Sequence, residues 1–264
     1  FYEMFFEDAQ TVSKELELTL TGKDCGLEER APMCGVPYHA VEGYLSRLVQ
    51  KGYKVAIAEQ MEDPKQAKGL VKREVIRVVT PGTLTNSQVL EESKNNYLMG
   101  IVYIDGVFGV STVDVSTGDY LVTEVRNERS LLDEIYKFSP SELICNEAFY
   151  MSGIDLEDLK VRLNAVISAL ENRFFSDDSC RRILREHFHV EHLEALGLAD
   201  YETGAIAAGA VLQYLYETQK NTLEHLTRLT VYTTGQFMML DTSTRRNLEL
   251  TETLREKQKR GTLL

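Results

Sequence analysis

The 264-residue sequence has no tryptophan, five prolines and no cysteine pair spaced as CxxC. Cys25, Cys34, Cys145 and Cys180 are spread widely, so free thiols are expected rather than a disulfide framework or a zinc site. Cations are also in short supply: 29 Lys and Arg stand against 41 Asp and Glu, a net charge of −12. A protein that meets a polyanion over its whole surface is not built this way. No apolar run reaches the roughly 18 residues that a membrane-spanning helix needs, so no membrane partner is expected. No signal peptide is expected either, because Glu3, Glu7 and Asp8 stand where a basic region should be. A phosphate loop of the form G-x-x-x-x-G-K-[ST] is missing, so these residues are not expected to hydrolyse ATP. The crowded His187, His189 and His192 lie in an Arg- and Glu-rich stretch with helical character. They are expected on a solvated helix face rather than around a metal.

What is present suits a folded chain of two domains and part of a third. Hydrophobic residues make up 43% and charged residues 27%, which argues against disorder. The chain starts without Met and ends on Leu263-Leu264 in helical sequence, so a piece of a longer protein is expected. Its charge is unevenly placed. Residues 1–82 hold 11 cations and 13 acids, and residues 83–264 hold 18 and 28. A basic cluster, Lys65, Lys68, Lys72, Arg73 and Arg77, is opposed mainly by Glu74. Any nucleic-acid contact is therefore expected in the first third.

Along the chain, 5–16 has helical spacing and 18–21 strand preference, and 22–30 reads as a polar loop. Pro37 sets an entry turn, and 38–51 puts Val41, Tyr44, Leu45 and Leu48 on one helical face ended by Gly52. Strands follow at 53–58 and 74–79, the second stopped by Pro81-Gly82. After a polar linker, 98–104, 107–115 and 120–125 form a three-strand meander. Asp105-Gly106 supplies its first turn, of type I′. A helix at 130–138, a strand at 142–145 and mostly helix from 181 complete the reading. In 203–220, Gly204, Ala205, Ala207, Ala208, Gly209 and Ala210 allow close helix packing.

Phe1-Tyr2-Glu3 is a weak signal alone. It gains weight from Pro32-Met33-Cys34-Gly35-Val36-Pro37-Tyr38-His39, from Val55-Ala56-Ile57-Ala58-Glu59-Gln60 and from Arg77-Val78-Val79-Thr80-Pro81-Gly82-Thr83. In this order and at these spacings the segments resemble the mismatch-recognition domain of the bacterial MutS family. The likeness continues through Asp241-Thr242-Ser243-Thr244-Arg245-Arg246-Asn247-Leu248-Glu249 and covers essentially the whole chain. It implies an α/β protein of mixed type. A small mixed-sheet recognition domain (1–82) would be followed by a linker (83–96), an RNase H-like connector (97–220) and the helical start of a lever domain (221–264).

The resemblance also implies roles. In that family the Phe of Phe-x-Glu wedges into the minor groove and stacks on a mispaired base, and the Glu hydrogen-bonds that base. Here these are Phe1 and Glu3. Stacking of an aromatic ring on a base is worth about 1–3 kcal/mol. Wedge insertion costs about a few kcal/mol per base step. That cost is lower where pairing is already defective, so deformability can supply the discrimination. A carboxylate is repelled by the polyanion, and only a displaced base offsets the penalty, so Glu3 should weaken perfect duplex most. Lys23, Arg30, Lys65, Lys68, Lys72, Arg73 and Arg77 are candidate phosphate contacts. Met33, Gly35, Pro37 and Tyr38 would shape the turn behind the wedge, with Tyr2 packed inside.

The implied partners are mismatched double-stranded DNA, a MutL-like protein at the connector and a second copy in the whole protein. The piece alone would be monomeric and the location cytoplasmic. No cofactor is expected in these residues; ATP and magnesium belong to a C-terminal domain of the family that they do not include. Two other readings stand beside this one. An RNase H-like nuclease would hold metal on Asp105, Asp114 and Asp119, although Asp105 and Asp119 occupy turn positions that favour Asp for local hydrogen bonding. A protein-docking module would use the acidic connector.

Overall fold

Tyr2 and Met4 alternate with Glu3 and Phe5, and the first four residues after Phe1 form strand β1 (Tyr2–Phe5). β1 runs straight into helix α1 (Phe6–Leu16) through Phe6, whose φ of 53° is left-handed. In the computed structural model described here, residues 1–26, 28–63, 69–84, 95–234, 244, 247–250, 253 and 262 are described. Lys65, Lys68, most of the linker at 83–96 and most of 235–264, Arg245 and Arg246 included, lie outside them. The chain divides into two units, Phe1–Asn96 with Leu215–Leu223, and Tyr97–Tyr214 with Glu224–Leu264.

In the first unit α1 buries Ala9, Val12 and Leu16, spaced on one helical face. It ends at Glu17, where a φ of 57° turns the chain back. Strands β2 (Thr21–Lys23) and β3 (Ala31–Val36) follow. The sheet order is β1-β3-β2, antiparallel throughout. A 3₁₀ turn at Tyr38–Ala40 leads into helix α2 (Val41–Gln50). The buried Leu48 joins Ala9, Val12, Leu16 and Cys34 in one core, with Met4 and Val55 packed against it. Strands β4 (Val55–Gln60) and β5 (Arg73–Val79) form a separate antiparallel pair with an irregularity between Ile57 and Ala58. At Pro81 a capping box of Thr80 and Thr83 starts a short 3₁₀ turn.

The class is mixed α/β, as expected. Within the first unit, however, the strands sort into two antiparallel sheets instead of one mixed sheet. Three local expectations are corrected. Residues 18–20 are not strand, and β2 begins at Thr21 and takes Gly22 and Lys23 out of the expected loop. Met33 and Gly35 lie in a strand rather than a turn. The helix expected from 38 begins in 3₁₀ form, because Pro37 holds the chain extended at its N-cap.

The second unit is a six-stranded sheet built from β6 (Tyr97–Ile104), β7 (Val107–Asp114), β8 (Asp119–Val125), β9 (Glu142–Cys145), β10 (Val166–Ala169) and β11 (Thr230–Val231). Its order is β10-β9-β6-β7-β8-β11. The antiparallel meander β6-β7-β8 extends through β9 and β10, each parallel to its neighbour. That arrangement is RNase H-like. Asp105 and Gly106 have φ of 48° and 81°, both positive as a type I′ turn requires.

Helix α3 (Glu128–Phe138), the short α4 (Glu147–Tyr150) and α5 (Leu156–Leu163) share a core with one sheet face, through Leu131, Ile135, Phe149 and Leu159. Helices α6 (Asp177–Phe188) and α7 (Glu202–Gln219) pack through Cys180, Ile206, Ala207 and Ala210 around Val102. The small residues of α7 permit this approach. A Cβ on Gly209 would lie 2.3 Å from that of Cys180, and one on Gly109 2.3 Å from the Thr203 carbonyl oxygen. Residues 189–201 are not α-helix, which corrects the run of helix expected from 181. No helix among the described residues is long and apolar enough to cross a membrane.

The solvated face expected for the three histidines is corrected at His187. It is half-buried, with Nε2 2.8 Å from the Leu226 carbonyl oxygen, and desolvation lowers its pKa. His189 and His192 are exposed.

Candidate nucleic-acid interface

β1 is an edge strand, and its period of two puts Phe1, Glu3 and Phe5 on one side and Tyr2 and Met4 on the other. Phe1 is 85% exposed. Glu3 lies opposite Gly35, whose missing side chain keeps the strands close there. A Cβ on Gly35 would meet the Tyr2 carbonyl oxygen at 3.1 Å and Glu3 Cγ at 3.8 Å. Lys23 Nζ donates to Glu3 Oε2 at 2.6 Å and sits 5.4 Å from the centre of the Phe5 ring.

Tyr2 faces the other way. Its hydroxyl donates to Glu59 Oε1, and its ring stacks on Tyr38 with centroids 5.7 Å apart. The Glu59 hydrogen bond, then burial, push the Tyr2 phenol up to about 12. The exposed Tyr38 is an aromatic surface that the sequence reading assigned only to shaping a turn. Nothing in its local sequence separates these roles; only the pairing of β1 with β3 brings it beside Tyr2.

A cavity of about 750 Å³ opens here. The buried Val12, Leu16 and Leu48 line it together with Phe1, Glu3, Lys23 and Arg73. Four of the sequence-predicted residues are thus brought together. Arg73, opposite Gln60 on β5, is exposed and donates to the Val71 carbonyl at 3.4 Å. Arg30 is exposed just before β3, its side chain over Gly22. Lys72 is exposed but ion-paired with Glu74 at 2.5 Å. Arg77 is partly buried, and its Nε has no hydrogen-bond partner among the described residues. Lys65 and Lys68 lie outside the described residues.

The three carboxylates of the nuclease reading do not converge. Asp105 is in the turn before β7, and Asp114 ends that strand. Asp114 is buried and accepts hydrogen bonds from Ser116 N at 2.8 Å and Ser116 Oγ at 2.6 Å, organising its own turn. Among the described residues no three His, Cys, Asp or Glu side chains are grouped to hold a metal ion.

A small domain with an exposed Phe-x-Glu edge strand, leading into an RNase H-like unit, is the architecture of a MutS-type two-domain module. Residues 1–88 match the family model described as MutS domain I, and residues 96–227 that described as MutS domain II. The chain belongs to the MutS family. It is 63% identical over 264 residues to the DNA mismatch repair protein MutS of Lachnoclostridium phytofermentans, covering 100% of this chain and 28% of that protein. The protein of the same name from Acetivibrio thermocellus is 51% identical over 267 residues, with 100% and 30% covered. The chain therefore spans under a third of the length of these relatives.

Proposed function

We propose that this chain reads duplex DNA for mispaired or unpaired bases, as part of a DNA mismatch-repair protein. The Phe1 ring enters the minor groove and stacks on the defective base, and Glu3 hydrogen-bonds that base. The observation that carries this reading is the 85% exposure of Phe1 beside Glu3 on one face of an edge strand. Lys23, Arg30 and Arg73 meet phosphates and set position without reading sequence. Lys65, Lys68, Lys72 and Arg77 are held to the same role on sequence grounds.

The RNase H-like unit docks a MutL-like protein, and two copies of the whole protein close around DNA. ATP hydrolysis with magnesium belongs to parts of the whole protein outside these residues, and the protein works in the cytoplasm. Without the rest of the protein the chain is monomeric and binds duplex weakly, with Kd of about 10⁻⁴–10⁻⁶ M.

The test compares mismatched with perfect duplex in the full-length protein and its Phe1→Ala variant. Mismatch affinity should fall by about 10- to 100-fold, the value of one base stack. Unchanged mismatch preference in the folded variant would remove the wedge from the mechanism.

A further inference from the structure

Lys23 reaches Glu3 across a strand. β1 and β2 do not touch, because β3 lies between them. Glu3 stands opposite Gly35 and Lys23 opposite Ala31, so the lysine stem runs back over the Phe5 ring to bring Nζ within 2.6 Å of Glu3 Oε2. The two side chains are 47% and 37% exposed. An ion pair this open to water is held weakly and is easily exchanged.

We propose that Lys23 is the positioning residue for Glu3. It holds the carboxylate on the Phe1 face in the free protein, and stays beside it while also meeting a phosphate when duplex arrives. The inference rests on the reading of Phe1 and Glu3 given above. A phosphate oxygen accepts the lysine ammonium as readily as a carboxylate does. Once water is excluded at the contact, the field of the neighbouring ammonium still offsets part of the carboxylate charge. At a mismatch the displaced base offsets the rest. At a normal pair nothing does, and the residual charge is what the protein uses to refuse perfect duplex. Lys23 thus sets how severe that refusal is.

The experiment is a double-mutant cycle in the full-length protein, using Lys23→Met, Glu3→Gln and the pair, with affinity measured for mismatched and perfect duplex. Lys23→Met keeps the stem and removes the charge. Its affinity for both duplexes should fall, with the mismatch-to-perfect ratio rising about threefold as Glu3 loses its counter-ion. In the Glu3→Gln background the same change should leave the ratio where it was. Lys23→Arg should keep the wild-type ratio. If Lys23→Met lowers both affinities equally in both backgrounds, Lys23 is a phosphate contact only and the inference is overturned. If Glu3→Gln by itself leaves the ratio untouched, the reading of Glu3 falls, and the role of Lys23 falls with it.

Discussion

Tyr2 shows how one residue can fasten the edge strand β1 from behind. Its hydroxyl is bonded to Glu59 on β4 while its neighbours Phe1 and Glu3 face outward, so β1 is tied to the second sheet of its unit. The phenol is pushed up from 10.0 to about 12. Because the protonated form is favoured in the folded state, the stabilisation is complete below about pH 10 and is lost as pH rises from there towards 12. A difference ultraviolet titration of wild type against Tyr2→Phe should therefore show a missing phenol that ionises about two units late. A missing component near the ordinary value of about 10 would mean that the Glu59 bond does not form in solution. That Phe1 and Glu3 share a face was legible in the sequence, since a spacing of two on an extended chain gives one face, whereas their proposed roles came only from the family resemblance. The Lys23–Glu3 contact was not, because 20 residues and a whole intervening strand separate the partners.

At the scale of elements, left-handed residues stop the helices. Glu17, Ser139, Asn164 and His189 close α1, α3, α5 and α6 with positive φ. Glu17 is the least suited of these, with a long side chain that has no short polar group to hydrogen-bond locally in the left-handed region, and a negative charge at the negative end of the helix. Glu17→Gly should raise stability by about 1 kcal/mol, read as a higher thermal midpoint. A lowered midpoint would mean that the Glu17 side chain has a compensating contact. The same local chemistry decided what the sequence revealed. Asp105-Gly106 announced its hairpin because both residues tolerate the turn that strand twist demands. β3 stayed hidden because Pro32 offers no N–H and Gly35 no side chain, so the alternation of a central strand never appears. β10 and α5 were missed because four and eight residues hold too little pattern, and neighbouring elements decide their state.

For the whole molecule, charge is segregated along the chain. Residues 1–82 are nearly balanced, 11 cations to 13 acids, whereas 83–264 hold 18 to 28. If the first unit alone meets phosphates, Arg73→Ala should weaken mismatched and perfect duplex about equally and flatten the salt slope by about one. Arg181→Ala, on α6 and bonded to Asp177 at 2.7 Å, should leave that slope unchanged. A slope that responds to Arg181 but not to Arg73 would move the contact to the second unit. The sheet order β1-β3-β2 has one more consequence. Its two flanks are short strands, one bearing Glu3 and the other Lys23. Beside them the Phe1 ring and the Phe6 ring are open to water. Uncharged, such a rim would be a template for stray strands and a seed for aggregates. Glu3, a charge on the exposed edge of β1, thus also discourages that strand of one molecule from annealing to the same strand of the next.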